Sequence, residues 1–255
     1  MLYQYIKINL IEKESFVFDG QNTIIDGEGQ YAHLLNIHNC KNLLVKNFTF
    51  RNGDTNIVKY LSRKDITFRL PKMSVFEVID GGAVLITGNS TVTFENCHFE
   101  NNRALMCGGA ISNQSSGKVL LNNCSFVGNI AGHTGSAIDN LTRNSQISIK
   151  NCKFIDNQSN SWHKAQAPHG HITVFPNTFA KIAHSTFKGG SLPLDYVDKA
   201  NIKLENNKYF GFKDWQSILK NKRNGGIFFN YLNFVSKLYW LVPKTLGKVY
   251  YRVNA

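Results

Sequence analysis

Acids are scarce in this sequence: 17 Asp and Glu stand against 29 Lys and Arg, a formal charge of +12. The shortage is sharpest in the middle, where only Glu95, Glu100, Asp139 and Asp156 occur between Gly81 and Phe187. Three of these, Glu95, Glu100 and Asp156, lie at or near bends, where a solvated acid needs no special role. No paired-carboxylate pattern for glycoside hydrolysis emerges, and no acid cluster of the kind that holds Ca²⁺. The five cysteines are an odd set with no CxxC pair, which argues against a disulfide or zinc framework. No metal site is expected, and no residue pattern names a cofactor. No nucleic-acid-binding motif accompanies the basic charge, so nucleic acid is not an expected partner. The longest apolar-rich stretch, Ile227 to Val242, is shorter than the roughly 20 residues of a spanning helix. Residues 1–14 lack the features of a secretory signal. A complete chain would start in the cytoplasm or at the face of its membrane, and a processed fragment could belong to the cell surface.

What is present is a repeat. Val92-Thr-Phe-Glu-Asn-Cys-His-Phe99, Val119-Leu-Leu-Asn-Asn-Cys-Ser-Phe126 and Ile147-Ser-Ile-Lys-Asn-Cys-Lys-Phe154 share the form apolar-x-apolar-x-Asn-Cys-x-Phe, with steps of 27 and 28 residues. Looser copies end at Phe50, Phe187 and Tyr209. A second marker runs in phase upstream of each aromatic: Gly81-Gly-Ala-Val84, Gly108-Gly-Ala-Ile111, Gly135-Ser-Ala-Ile138, His169-Gly-His-Ile172 and Gly189-Gly-Ser-Leu192. Alternation over a few residues, punctuated by Asn and Gly, is a strand signature, and helical spacing is absent through the repeats. Strands this short bury their inward side chains only by stacking coil on coil, about 4.8 Å apart. The expected fold is all-β, a parallel β-helix of about seven coils over residues 1–210, followed by a tail at 211–255. Phenylalanines should stack in a column, cysteines should fill a buried row, and asparagines should turn the bends.

The stretch Phe16-Val-Phe-Asp-Gly-Gln-Asn-Thr-Ile-Ile-Asp-Gly-Glu-Gly29 resembles the opening rung of the pectin-lyase-like superfamily. The Gly-Gly-Ala-Ile units, with Phe99-Glu-Asn-Asn102, Phe126-Val-Gly-Asn129 and Phe154-Ile-Asp-Asn157, are similar to the repeats of polymorphic outer-membrane proteins. The resemblance covers residues 16–210 and implies a right-handed coil. It implies function only by analogy, because such coils serve lyases, hydrolases, epimerases and adhesins.

If Ile111, Ile138 and Ile172 point inward, strand alternation sends their neighbours outward. On that reading His171 interrupts an outward line of alanines (Ala83, Ala110, Ala137), with Asp139 one rung below. A histidine with a carboxylate partner can serve as a general base, so Asp139 and His171 are the candidate catalytic pair; a plain surface histidine is the other reading. Two interruptions of the repeat are candidate binding loops. Residues 54–80, read as part degenerate coil and part basic loop, carry Lys59, Arg63 and Lys64. The segment 158–171 carries Trp162, His163 and His169.

The tail holds eight of the basic residues against one acid, Asp214. Lys213 to Lys222 has the spacing of a short amphipathic helix fit to cap the solenoid. The aromatic segment from Ile227 either packs on the solenoid flank, with an oligomer contact included, or lies on an anionic membrane with its basic residues near the headgroups. Two functions are compatible with these features. One is a carbohydrate-engaging β-helix that scaffolds a bacterial surface polysaccharide, or processes it as a lyase, hydrolase or epimerase. The other is a non-catalytic structural or adhesive module of a bacterial surface or surface-polymer assembly system.

Overall fold

The computed structural model describes residues 4–60, 75–159, 170–175, 177–196 and 201–218. Every strand pairing among them is parallel, in three sheets that wind about one axis. A 12-stranded sheet takes two strands from most coils, and its strand Leu43–Arg51 bridges the two runs. A seven-stranded sheet begins with Gln4–Ile11 and Tyr31–His38 and ends with Leu192–Tyr196. A short third sheet joins Arg103–Ala104, Ile130–Ala131 and Gln158–Ser159.

The repeat explains one coil at a time. In Lys118–Asn122 the side chains of Val119 and Leu121 are buried while Leu120 and Asn122 face out. The next residue turns the chain. Asn47, Asn96, Asn123, Asn151, His184 and Asn206 occupy this bend in successive coils, all with φ between 49° and 58°. Asparagine tolerates this left-handed region better than most side chains, which is why it recurs there. Past the bend, Cys97, Cys124 and Cys152 are buried, and all five cysteines are free thiols. Phe50, Phe99, Phe126, Phe154 and Phe187 then stack at ring separations of 4.7 to 5.4 Å, and Tyr209 closes the column. Each buried ring contributes on the order of 2 to 3 kcal/mol by leaving water.

The bend after each phenylalanine carries an internal polar ladder. Asn102, Asn129 and Asn157, the last residues of the Phe-x-x-Asn units, are fully buried. Each accepts from the coil below and donates both to the phenylalanine carbonyl of that coil and to the coil above. The amide of Asn129 donates to the Phe99 carbonyl at 2.9 Å and to Oδ1 of Asn157 at 2.8 Å, while its own Oδ1 accepts from Asn102 at 3.0 Å. A buried polar side chain is tolerated only when satisfied in this way.

Three expectations are corrected. Among the described residues the coils already begin with Gln4–Ile11, ahead of the Phe16–Gly29 stretch read as the opening rung, because Gln4–Ile11 pairs in register with Tyr31–His38. No coil lies between those of Phe50 and Phe99, where a degenerate coil in 54–80 was expected. Phe50 stacks directly on Phe99, and Val84–Thr87 pairs directly with the strand Tyr31–His38, so the segment is an insertion. Its described parts are a 3₁₀ helix, Thr55–Tyr60, and a short α-helix, Val75–Ile79.

Third, the alanine line does not face out. The Ala110 carbonyl accepts from both Ala83 N and Val84 N, and the Ala137 carbonyl from both Ala110 N and Ile111 N. Two consecutive N–H groups converging on one carbonyl pinch the strand, so both Ala110 and Ile111 join the core. Simple alternation fails at that residue.

Candidate functional site

His171 stands in the alanine line and follows it inward. It is fully buried, with its ring about 6 Å from those of Phe154, Phe187 and Phe212. The Asn157 amide donates to His171 Nδ1 at 3.0 Å, and Nε2–H donates to the Gly189 carbonyl at 2.9 Å. These partners fix the neutral tautomer, because a proton on Nδ1 would face the amide hydrogen. Burial holds the imidazole pKa down to about 4.

Asp139 is also fully buried, on the other side of its strand. The hydroxyl of Ser112 donates to its Oδ2 at 3.3 Å, while Oδ1 finds no hydrogen-bond partner among the described residues. Burial pushes its carboxyl well above the ordinary carboxylate range, and the charge of nearby Asp80 pushes it further. Asp80 accepts from the backbone N–H of Cys107 at 2.8 Å. Burial and the same two acids raise the Cys107 thiol, and Thr134 donates to its sulfur at 3.0 Å. Gly108 makes room for this cluster: a methyl group there would come within 2.1 Å of Asp139 Oδ1.

The sequence therefore named two residues that the fold keeps apart. Among the described residues, Asp139 and His171 share no hydrogen bond or ion pair, and neither reaches solvent. The expectation of an outward-facing pair is corrected, and so is the surface-histidine reading. His171 is a rung of the internal ladder, and Asp139 belongs to a covered acid cluster. Trp162, His163, His169, Arg63 and Lys64 lie outside the described residues, as does the side chain of Lys59. The aromatic tail at 227–255 lies outside them too. Among the described residues no group of three or more acids, histidines and cysteines is placed to hold a metal ion, and no helix is long and apolar enough to cross a membrane.

A surface that sequence reasoning missed lies on the outer face of the long sheet. In its C-terminal coils Lys118, Lys150, Lys153, Lys181, Lys188, Lys203 and Lys208 are all exposed. The acids nearest in sequence are Asp156 and Glu205, and Glu205 meets Lys181 at 3.7 Å and His184 at 3.9 Å. Register builds the pattern. Ser148, Lys181 and Lys203 are neighbours on successive strands, as are Lys118, Gln146 and Phe179. Between these rows runs an open groove of about 350 Å³, with Phe179 on its wall, 47% exposed. The individual lysines were legible in the sequence, but that positions 22 to 33 residues apart fall side by side required the register.

The N-terminal half of the same face differs. There Asp19 pairs with Lys46 at 3.1 Å, Asp26 with Arg51 at 2.7 Å, and Glu95 and Glu100 lie on the strands that follow. The lysines thus face no comparable set of acids in their own half.

The family model for a right-handed β-helix region matches residues 33–209, more than half of the chain. No curated protein and no solved structure matches the chain significantly. The span matched begins in the second strand of the seven-stranded sheet and ends at Tyr209, the last ring of the aromatic column, so the chain belongs to the right-handed β-helix family.

Proposed function

We propose that this protein is a carbohydrate-engaging β-helix that holds an acidic polysaccharide along the outer face of its long sheet, as a scaffold and not as a cleaving enzyme. The observation that carries the reading is the pair Lys181 and Lys203, set side by side on adjacent strands at the edge of the groove. Like charges directly opposite each other on a sheet destabilise it, and Glu205 relieves the pair only from 3.7 Å at a solvent-exposed position. A polyanion lying over the coils would neutralise several lysines at once, since strands about 4.8 Å apart present them at short, regular intervals. Phe179 adds an apolar surface on which a sugar ring can rest, beside the polar side chains of Gln146 and Ser148. Burial of Asp139 and His171 favours holding over cleavage, because neither reaches a bound polymer as they are arranged.

The test is titration of the intact chain with a polyuronate, a neutral glucan and single-stranded DNA by calorimetry at two salt concentrations. The polyuronate should bind, weaken as salt rises, and lose at least tenfold in affinity in the Lys118→Glu, Lys181→Glu, Lys203→Glu triple variant. Equal binding of the neutral glucan, preference for DNA, or an unaffected triple variant would overturn the proposal. Release of new reducing or unsaturated ends during the titration would overturn its non-catalytic part.

A further inference from the structure

A second groove lies at the bend between the long sheet and the short third sheet. Its volume is about 510 Å³, in the size range of small-ligand sites, and it runs across four successive coils. Register sets the order of its wall. Asp54 pairs with Arg103, and Arg103 with Ile130, so a carboxylate, a guanidinium and an apolar side chain follow one another at steps of about 4.8 Å. Glu28, one coil before Asp54, adds a second, exposed carboxylate at the acidic end. The opposite charges stand on adjacent coils and do not meet. Among the described residues neither Asp54 nor Arg103 joins an ion pair, whereas Asp26 and Arg51, in the strands just before, pair at 2.7 Å. Asp54 Oδ1 accepts from the backbone and the side chain of Asn56, both at 2.8 Å, and among the described residues its Oδ2 is uncommitted. Beyond Arg103 the groove stays open at Gly128, where a methyl group would come within 2.6 Å of Asn101 Oδ1.

We infer that this groove binds a zwitterionic phosphodiester of the phosphoethanolamine type, with its ammonium between Glu28 and Asp54, its phosphate on Arg103 and its esterified carbon chain toward Ile130. An ammonium presents three N–H donors, and carboxylates from two neighbouring coils supply acceptors for them. A guanidinium grips phosphate oxygens through paired N–H donors, and the exposed Arg103 has those donors to offer. The two-carbon link of phosphoethanolamine spans about one coil step, so both charges reach their partners at once. A simple anion would meet Arg103 alone and be repelled by the two acids, and a simple cation would meet the reverse. Two acids against one base also turn away the polyanion proposed for the lysine face, so the two grooves take different ligands. A phosphoethanolamine group is carried by lipids as a headgroup and by glycans as a substituent, and it presents the same chemistry to this wall from either source.

Calorimetric titration of the intact chain with glycerophosphoethanolamine tests the site. Saturable one-to-one binding is expected, with ethanolamine and glycerol 3-phosphate each weaker by about tenfold or more, because each lacks one of the two charges. That comparison needs no variant. Arg103→Gln and Glu28→Gln, at exposed positions on different coils, should each weaken the phosphodiester by about tenfold or more and leave the circular dichroism and melting temperature unchanged. Sedimentation with phosphatidylcholine vesicles, with and without phosphatidylethanolamine, separates the two sources. Pelleting that needs phosphatidylethanolamine and is lost in Arg103→Gln assigns the group to a lipid. Binding of the soluble probe without pelleting assigns it to a glycan substituent, and either result supports the site. No saturation by glycerophosphoethanolamine, equal binding of glycerol 3-phosphate or of ethanolamine, or binding indifferent to both substitutions would each overturn the inference.

Discussion

Asn157 donates its side-chain amide to Nδ1 of His171 at 3.0 Å, and that bond accounts for a break in the repeat. In the coils below, the corresponding amide of Asn102 or Asn129 donates to the Oδ1 of the next asparagine. Above Asn157 the fourth position of the unit is Gly190, in Phe187-Lys188-Gly189-Gly190, and no carboxamide is available. The imidazole reaches across from the alanine line and supplies the missing acceptor. Replacing His171 with Ala leaves a buried donor unsatisfied and a cavity beside Phe154 and Phe187, at a cost of about 2 to 4 kcal/mol. Urea unfolding should show the loss, while polyuronate affinity per folded molecule should be unchanged.

Restoring the repeat by Gly190→Asn is expected to fail. Gly190 has φ +70°, and a methyl group there would come within 2.2 Å of the Asn157 carbonyl oxygen. Both strain and clash oppose the substitution, so it should destabilise by more than about 1 kcal/mol, even though it matches the other coils. Thermal unfolding of Gly190→Asn, alone and with His171→Ala, would reveal any rescue. A rescued double variant would contradict this account.

The same histidine gives the fold an acid sensitivity with a defined sign. His171 and His33 are both buried, with pKa values held down to about 4 from an ordinary 6.5. Between those values the unfolded chain binds protons that the folded chain does not, so stability falls as pH falls through that window. For His171 alone the loss between pH 7 and pH 5 is roughly 2 kcal/mol. Denaturant titrations at the two pH values should show His171→Asn with a shallower slope than the parent.

Asp139 works in the opposite direction. Its carboxyl is raised, so the folded chain keeps a proton that the unfolded chain releases above the ordinary aspartate range, and stability declines as pH rises through that interval. Asp139→Asn keeps the shape and removes the ionisation. The variant should gain stability relative to the parent as pH is raised from 4 to 7, and the gap at pH 4 should be small. Gly108→Ala, which places a methyl group against Asp139 Oδ1 at a residue with φ +66°, should destabilise at every pH.

How far these features could be read beforehand depends on their range. The Asn-Cys-x-Phe unit is local, and its strand, bend and stacked ring follow from alternation and from the tolerance of asparagine for positive φ; the fold was legible for that reason. The fate of His171 was not, because alternation assumes an evenly paired strand and the doubled acceptance at the Ala110 and Ala137 carbonyls breaks it. One clue lay in the sequence: the coil whose alanine became histidine is followed by the Phe-x-x unit whose asparagine became glycine. The lysine face was illegible for a different reason. Lys181 and Lys203 are 22 residues apart, and only the register Lys181 to Lys203 makes them neighbours.

That register also predicts which exposed aromatic matters. Phe179 and Phe210 are exposed to similar extents, 47% and 54%, but only Phe179 lines the groove between the lysine rows. If the groove seats a sugar ring, Phe179→Ala should weaken polyuronate binding by roughly tenfold, the scale of losing a central contact of about 1 to 2 kcal/mol. Its loss should not shift the melting temperature appreciably, since truncation at an exposed position usually changes stability by less than about 0.5 kcal/mol. Phe210→Ala, one coil edge away and outside the groove, should leave both binding and stability as they were. Calorimetric titration of the two variants side by side separates a specific platform from a general effect of surface hydrophobicity. Equal losses in both would show that the polymer, if it binds, does not use this groove.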